Sequence, residues 1–303
     1  MLKVTNVVKS FDDTIAVKNL SFELEPGTVL GLIGQNGAGK STTFKMILNF
    51  LKPDSGEIMF DGHHLSESDL DSIGYMPEER GLYLDMTIKQ QVLYFAQLHS
   101  FSKKAALDSL PYWMDKLSVK GTLNSKIKSL SKGNQQKVQL ISSFIHQPKL
   151  LILDEPFSGL DPVNTELLIN AVRDLQSEGT AIIFSSHDMR NVEKLSDSLL
   201  LLVNGNTALQ GTIPTVKESF GKTNLYIEGA FTEEEIKSLP GLLRYESDYP
   251  GFHLTFDNEE STLSVLNIAK ESPLLSGYRL FTPSLDDIFK IITQTKEDSV
   301  TNA

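Results

Sequence analysis

The stretch Gly34-Gln35-Asn36-Gly37-Ala38-Gly39-Lys40-Ser41 decides the fold class of this 303-residue chain. It fits the pattern G-x-x-x-x-G-K-[ST]. An apolar run over residues 29–33 precedes it, and a helical pattern follows over residues 42–51. Glycine lets backbone N–H groups point at a phosphate chain, and the start of a helix adds the positive end of a dipole. Strand, loop and helix in this order predict a nucleoside triphosphate site in an α/β fold.

Every residue of the loop has a predicted place in that site. The ammonium group of Lys40 is expected to reach the β- and γ-phosphates, and the Ser41 hydroxyl to bind Mg²⁺. The predicted nucleotide-binding residues of this segment are Gly34, Gln35, Asn36, Gly37, Ala38, Gly39, Lys40, Ser41 and Thr42.

A second apolar run, residues 150–153, ends in Asp154 and Glu155. A carboxylate at the end of a strand next to the loop would complete the Mg²⁺ site, so Asp154 is predicted as a metal ligand. Glu155 is predicted to act as the general base that polarises an attacking water. An Asp-Glu pair after a strand is by itself most often a solvated strand end, and only the upstream loop favours the catalytic interpretation.

The motifs so far predict a nucleotide hydrolase, and three further segments narrow this prediction to one family. The segment Leu130-Ser-Lys-Gly-Asn-Gln-Gln136 resembles the signature motif of the ATP-binding cassette (ABC) ATPases. Ser158-Gly-Leu-Asp161 resembles the D-loop of that family, and Ser185-Ser-His187 resembles its switch histidine. Phe11 stands where the family places an aromatic residue that stacks on adenine. The resemblance covers about residues 1–220, with every motif in order.

The resemblance implies a site shared by two chains. One subunit would hold ATP·Mg²⁺ with its phosphate loop, while Ser131 and Gly133 of the other subunit close over the γ-phosphate. His187 would contact the γ-phosphate and position the attacking water, and Asp161 would couple the two sites. The implied assembly is therefore a head-to-tail pair of identical chains.

Two positions depart from the family pattern. Glu78 stands where the family has the glutamine of the Q-loop, so a metal role for Glu78 is in doubt, and Arg80 is a candidate to offset its charge. Lys132 replaces a glycine of the signature motif and brings a positive charge towards the nucleotide of the partner subunit.

The segment from Tyr75 to Tyr83, together with the signature, looks like a bacterial subfamily of ATPase subunits that serve separate permeases, including sodium-extrusion and drug-export systems. The resemblance therefore implies an exporter subunit on the inner face of the cell membrane, cytoplasmic and held there by integral-membrane permease chains. The apolar residues Leu82, Tyr83, Leu84 and Met86 would form the docking groove, or else pack in the core.

Composition excludes several other classes. The chain has no cysteine, so it has no disulfide scaffold or thiolate metal site. Hydrophobic residues make up 40% of the chain, which is ample for buried cores. A net charge of −11 argues against a nucleic-acid partner, which would need a basic surface. Seven basic and 14 acidic residues lie from Lys222 onward. This acidic shift, together with the break around Gly221, predicts a domain boundary between residues 1–221 and 222–303.

Each predicted domain has its own secondary-structure pattern. Residues 2–8 and 15–24 predict strands of an antiparallel layer, and about residues 89–147 predict a helical subdomain. The second domain predicts strand-helix-strand-strand-helix-strand plus a final helix, a small α+β domain of ferredoxin-like order. Ser261 and Ser284 are the predicted caps of its last two helices.

Two other functions compete with the transporter subunit. A non-transport ABC ATPase that acts on ribosomes or DNA would have tandem cassettes or a long coiled coil, and neither is evident here. A small-molecule kinase could use the phosphate loop, but it would leave the signature residues without a task.

Overall fold

The computed structural model describes residues 1–79 and 81–301, with side-chain surroundings through residue 293. The chain divides into two compact units, Met1–Gln210 and a second unit that begins at Gly211. The boundary predicted at residues 221–222 lies inside the second unit and stays a prediction. Arg80 lies outside the described residues. Among those described, no helix has the length and apolarity needed to cross a membrane.

In its described residues, the first unit combines two sheets with six α-helices. Its strands are β1 (Leu2–Phe11), β2 (Thr14–Leu24), β3 (Val29–Ile33), β4 (Ser55–Phe60), β5 (His63–His64), β6 (Ile73–Met76), β7 (Leu150–Leu153), β8 (Ala181–Ser185), β9 (Ser198–Val203) and β10 (Asn206–Thr212). Its helices are α1 (Lys40–Ile47), α2 (Ile88–Leu98), α3 (Lys103–Lys116), α4 (Lys132–Phe144), α5 (Pro162–Ser177) and α6 (Met189–Leu195).

The central sheet has the order β10-β9-β3-β8-β7-β6. Its inner pairs, β9/β3, β3/β8, β8/β7 and β7/β6, are all parallel. Every residue of β3, β7 and β8 is buried, as expected for parallel strands covered by helices on both faces. Because parallel strands end at the same edge, the residues after β3, β7 and β8 meet there, which is where a ligand binds in such sheets.

A second, antiparallel sheet has the order β2-β1-β4-β5, and it confirms the predicted antiparallel layer. Apolar residues of β1, β2 and β4 share one core with α1 and the central sheet. This shared core fixes α1, and with it the phosphate loop, between the two sheets. The helix itself begins at Lys40 and ends at Ile47, two residues earlier and four residues earlier than the predicted limits.

Helices α2, α3 and α4 pack on one another and form the predicted helical subdomain. The side chains of Thr87, Ser102 and Ser131 cap them, each accepting a backbone N–H three residues later. Such caps satisfy donors that the first turn of a helix leaves unpaired. The subdomain's helices span residues 88–144, close to the predicted 89–147.

The second unit contains α7 (Ile213–Ser219), β11 (Asn224–Gly229), α8 (Glu233–Lys237), β12 (Leu242–Asp248), β13 (Gly251–Phe256), α9 (Glu259–Glu271), β14 (Leu275–Phe281) and α10 (Leu285–Thr301). Strands β11 to β14 form an antiparallel sheet of order β12-β13-β11-β14. In the order of the chain these are strands 2-3-1-4, which confirms the ferredoxin-like prediction.

One of the two predicted caps in this unit is wrong. Ser284 accepts the backbone N–H of Asp287, as expected for the start of α10. At α9, however, the cap is Asn258, whose Oδ1 accepts the backbone N–H of Ser261 at 2.8 Å. Asparagine caps as well as serine does, and a start at Asn258 places Glu259 in the first turn, where the helix dipole favours negative charge.

Candidate active site

The phosphate loop crosses from the end of β3 to the start of α1 in a backbone conformation that requires glycine. Gly39, the residue before α1, has a φ of +108°, and a Cβ at this position would lie 2.6 Å from the carbonyl oxygen of Ala16 on β2. Gly37 has a φ of +81° with open space beside its Cα. The loop therefore packs against β2 on one side and leaves its backbone accessible on the other.

Lys40 and Ser41 begin α1 and face the edge of the central sheet. Lys40 is 9% exposed as a residue. Its ammonium group donates to the carbonyl oxygens of Gly34 at 2.6 Å and Gln35 at 3.2 Å. The Ser41 hydroxyl lies 3.5 Å from Oδ2 of Asp154, the residue that follows β7. The loop and the carboxylate predicted from separate motifs thus meet at one place.

Ser185, the last residue of β8, holds both acidic residues of the neighbouring strand. Its hydroxyl donates to Oδ1 of Asp154 at 2.6 Å and accepts the backbone N–H of Glu155 at 2.8 Å. Ser185 is completely buried and Asp154 is 5% exposed, so both groups depend on these hydrogen bonds for partners. None of the sequence motifs assigns Ser185 a role of its own.

Glu155 and His187 form a contact beside this cluster. Nδ1 of His187 lies 2.9 Å from Oε2 of Glu155. Burial raises the pKa of the Glu155 carboxyl above its usual value, and the nearby charge of Asp154 acts in the same direction, while His187 and Lys40 oppose the shift. Glu155 has a φ of +49°, in the left-handed region. A partly buried carboxylate on a strained backbone, next to a histidine, is the arrangement expected of a catalytic base.

The residues at this edge fit a triphosphate and its metal ion. Helix α1 has no acidic residue in its first turn and no side-chain cap, so its N-terminal N–H groups and its positive dipole end face the loop. Ser41 and Asp154 supply a hydroxyl and a carboxylate oxygen, which are hard donors of the kind that Mg²⁺ prefers. The donor set therefore agrees with the predicted ATP and Mg²⁺ site.

Glu78, for which a metal role is in doubt, is exposed. It comes two residues after the end of β6, the strand that neighbours β7. Burial raises the pKa of Tyr75 to about 12, and the charges of Asp154 and then Glu78 act in the same direction. The backbone on either side of Glu78 is held from α4, because Nε2 of Gln139 donates to the carbonyl oxygens of Pro77 at 2.9 Å and Glu79 at 3.3 Å. This support was also missed from the sequence.

Phe11 lies at the end of β1, in the turn that leads to β2. Its ring is 44% exposed, and the ammonium group of Lys9 lies 5.7 Å from the ring centroid. An exposed aromatic face on the hairpin whose second strand packs against Gly39 is available for stacking.

Ser131, Gly133 and Asp161 form a second group around the starts of α4 and α5. The Ser131 hydroxyl accepts the side-chain N–H of Asn134 at 2.8 Å. Asp161 caps α5 and accepts the backbone N–H of Asn164 at 2.8 Å, which lowers the pKa of its carboxyl. The backbone of Gly133 has space around it: a Cβ there would lie 3.8 Å from its nearest neighbours.

The structure therefore gathers the predicted site residues into two groups within one chain. Lys40, Ser41, Asp154, Glu155 and His187 meet at the carboxyl edge of β3, β7 and β8. Within the described residues, the hydrogen bonds of Ser131 and Asp161 are made to their own helix starts and not to the phosphate loop.

Comparison with known proteins agrees with this geometry. A family model described as ABC transporter matches residues 17–158, and one described as the C-terminal domain of DrrA1-3-like ATP-binding proteins matches residues 211–293. The ABC transporter ATP-binding protein YhaQ of Bacillus subtilis is 41% identical over 289 residues, which cover 95% of this chain and 97% of YhaQ.

Two further similarities extend the comparison. The Nod factor export ATP-binding protein I of Rhizobium sp. strain N33 is 30% identical over 300 residues, 96% of each chain. A solved ATP-binding subunit of an ABC transporter superimposes with a TM-score of 0.68 at 30% identity, over 73% of this chain and 93% of that one. The chain therefore belongs to the ATP-binding proteins of the ABC transporters, a family of ATPases coupled to transport.

Proposed function

We propose that the chain is the ATP-hydrolysing subunit of an exporter, and that two copies bind head-to-tail around two ATP·Mg²⁺ and drive separate permease subunits. The observation that carries the proposal is the meeting of two contacts at one sheet edge. Ser41 lies beside Asp154, and Glu155 contacts His187. These two contacts place candidate metal ligands next to a candidate base, as hydrolysis of a phosphoanhydride requires.

The phosphate loop and Lys40 would hold the triphosphate. The N–H groups at the start of α1 would donate to the β- and γ-phosphates, and the ammonium group of Lys40 would add a full positive charge there. Bound between Ser41 and Asp154, Mg²⁺ would neutralise charge on the phosphates as the bond to the γ-phosphate breaks. Phe11 would stack on the adenine ring.

Glu155 would accept the proton of the attacking water. A carboxyl whose pKa is raised by burial is a stronger base than an exposed one, and Glu155 is still balanced by His187 and Lys40. With Nδ1 of His187 turned towards Glu155, the other ring nitrogen is left to contact the γ-phosphate. The side chain of His187 is 75% exposed, so this nitrogen is accessible to a ligand bound at the sheet edge.

A second copy of the chain would complete each site. A Cβ at Gly133 would make only ordinary contacts, so neither packing nor a left-handed φ requires glycine there within one chain. A glycine that a single chain does not need is explained by the close approach of a ligand or another backbone. Ser131 lies at the same helix start, and Asp161 lies nearby at the start of α5, where it would connect the two sites.

The permease would dock on a groove of about 760 Å³ in the helical subdomain. The groove is lined by Tyr83, Leu84 and Met86 from the loop before α2, and by Leu93 and Tyr94 from α2 itself. Tyr83 and Leu84 are 49% and 51% exposed, so these two members of the predicted cluster lie on the surface and not in the core. Exposed apolar side chains around a groove are typical of a binding surface.

Two observations support the exporter class and the membrane location. A relative that matches over 96% of both chains is named for the export of Nod factor. No described helix could cross a membrane, and association with the membrane would come through the permease chains. Relatives along the full length carry transporter names, which do not favour a ribosome- or DNA-acting ATPase.

The proposal is tested by measuring the molecular mass of the Glu155→Gln variant by light scattering, with and without Mg·ATP. We expect ATP to convert the monomer to a dimer, because hydrolysis no longer reopens the pair. The double variant Glu155→Gln/Lys40→Ala, which lacks the phosphate-binding cation, is the control and should stay monomeric. A Glu155→Gln protein that binds ATP but remains monomeric contradicts the head-to-tail pair.

A further inference from the structure

The two acidic residues of the candidate active site share one supporting hydroxyl. Ser185 donates to Oδ1 of Asp154 at 2.6 Å and accepts the backbone N–H of Glu155 at 2.8 Å. We propose that Ser185 is a positioning residue, which orients Asp154 towards the metal ion and Glu155 towards the attacking water. This inference rests on the proposed function, because it concerns the same Mg·ATP site.

The first contact decides which oxygen of Asp154 faces Ser41. With Oδ1 held by Ser185, Oδ2 points to the Ser41 hydroxyl, 3.5 Å away. Asp154 is 5% exposed, so water cannot replace the lost partner if the Ser185 hydroxyl is removed. A buried carboxylate that loses a hydrogen bond turns towards another donor, and the pair of hard oxygen ligands would then be misaligned.

The second contact supports the strained backbone of Glu155. The φ of +49° at Glu155 is disfavoured for any residue with a Cβ, so neighbouring contacts must hold it. The hydrogen bond from its N–H to Ser185 is such a contact. This backbone conformation directs the carboxylate towards His187, at 2.9 Å. One hydroxyl thus sets the direction of both acidic side chains.

A purely structural role is the competing explanation. A hydroxyl at the end of β8 could stabilise the sheet edge and have no effect on metal binding. The two explanations differ in one measurable quantity, the gain in nucleotide affinity that Mg²⁺ provides. A structural role changes stability and leaves that gain unchanged, whereas a positioning role reduces the gain itself.

The test measures the dissociation constant of AMP-PNP by calorimetry, once with Mg²⁺ and once with EDTA, for the wild-type protein and three variants. Ser185→Ala removes the hydroxyl, and Ser185→Cys replaces it with a somewhat larger group that is a much weaker donor. Ser142→Ala is the matched control, because Ser142 is also buried but donates only to Val138 in its own helix. Melting temperatures report the stability of each variant.

We expect both Ser185 variants to lose about tenfold of the Mg²⁺-dependent gain, while their affinities in EDTA stay near the wild-type value. Ser142→Ala should keep the full gain. The inference is overturned if Ser185→Ala or Ser185→Cys keeps the gain, whatever its melting temperature, and Ser185→Cys decides the matter if Ser185→Ala does not fold. A wild-type protein whose affinity does not depend on Mg²⁺ instead contradicts the metal pair of the proposed function.

Discussion

Replacing Gly133 with alanine distinguishes a glycine that the fold of one chain requires from a glycine that only a pair of chains requires. Gly133 lies in the first turn of α4, and a Cβ there would lie 3.8 Å from Asn164 Nδ2 and from Leu160 Cδ2, which is ordinary contact distance. The single chain therefore accepts the methyl group without strain. In the proposed pair, the same methyl group would project into the space between α4 and the γ-phosphate held by the partner.

The expected effects on stability and activity have opposite signs. Alanine is about 0.5–1 kcal/mol better than glycine within a helix, so the free energy of unfolding should rise by that amount. For a domain of about 200 residues this corresponds to a melting temperature higher by about 1–4 °C. Hydrolysis should fall by at least about 100-fold, because the loss of correct closure removes electrostatic stabilisation of the transition state.

The assays are thermal unfolding and steady-state ATPase activity on the same samples. Gly179→Ala is the control: Gly179 has a φ of +99° in the turn after α5, so alanine should lower the melting temperature and leave hydrolysis unchanged. A Gly133→Ala protein that is more stable and hydrolyses ATP at the wild-type rate refutes the reasoning. A less stable Gly133→Ala protein would show that the local packing has been misjudged.

Two further predictions concern the helical subdomain. His146 is buried, stacks on His99 at 3.8 Å, and has a pKa lowered to about 3 by burial, so the unfolded chain binds a proton that the folded chain does not. The contribution of His146 to the free energy of unfolding is therefore nearly complete at pH 7 and falls as the pH drops through 6.5, by about 1.3 kcal/mol between pH 7 and pH 5.5. Burial also lowers the pKa of His99, so urea unfolding at both pH values should show a clearly smaller loss in the His146→Phe protein than in the wild type. The double variant Tyr83→Ser/Leu84→Ser should keep its basal ATPase rate, because both side chains are about half exposed. It should lose transport in vesicles that contain the permease. A fall in the basal rate of the free protein would show that these two side chains serve core packing.

The strands and the loop of the phosphate-binding site could be predicted from the sequence, because the patterns that indicate them are local. Strands β3 and β7 have the predicted bounds residue for residue, since each is an uninterrupted apolar run that ends at a glycine or a carboxylate. The G-x-x-x-x-G-K-[ST] pattern and the strand and helix around it located the loop. The structure adds why Gly39 cannot change: the carbonyl oxygen of Ala16 occupies the space of a Cβ.

The role of Ser185 required the register between strands, although the necessary signal is present in the sequence. Leu153 pairs with Phe184 in the parallel sheet, so the next residues, Asp154 and Ser185, come to lie side by side. Aligning the two apolar runs by their ends would have predicted this contact. By contrast, the stacking of His99 on His146 joins the ends of α2 and α4, and no spacing in the sequence reveals such a contact.

The charge distribution of the chain acquires an explanation once the helix starts are compared. Seven of the 14 acidic residues from Lys222 onward lie in the first turns of α8, α9 and α10, where the helix dipole favours their negative charge. Glu233 and Asp286 also form ion pairs with Lys237 and Lys290.

Helices α1 and α4 show the opposite pattern, since each begins with a lysine next to a glycine. Lys40 follows Gly39, and Lys132 precedes Gly133, with no acidic residue in either first turn. A lysine alone at a helix start is not diagnostic, because α3 also begins with Lys103. A cation at the positive end of a helix dipole is locally unfavourable at both helices, and in α4 a glycine inside the first turn also weakens the helix. A phosphate group bound at both helix starts resolves both conflicts at once, and one helix start from each of two chains is what the proposed head-to-tail pair supplies.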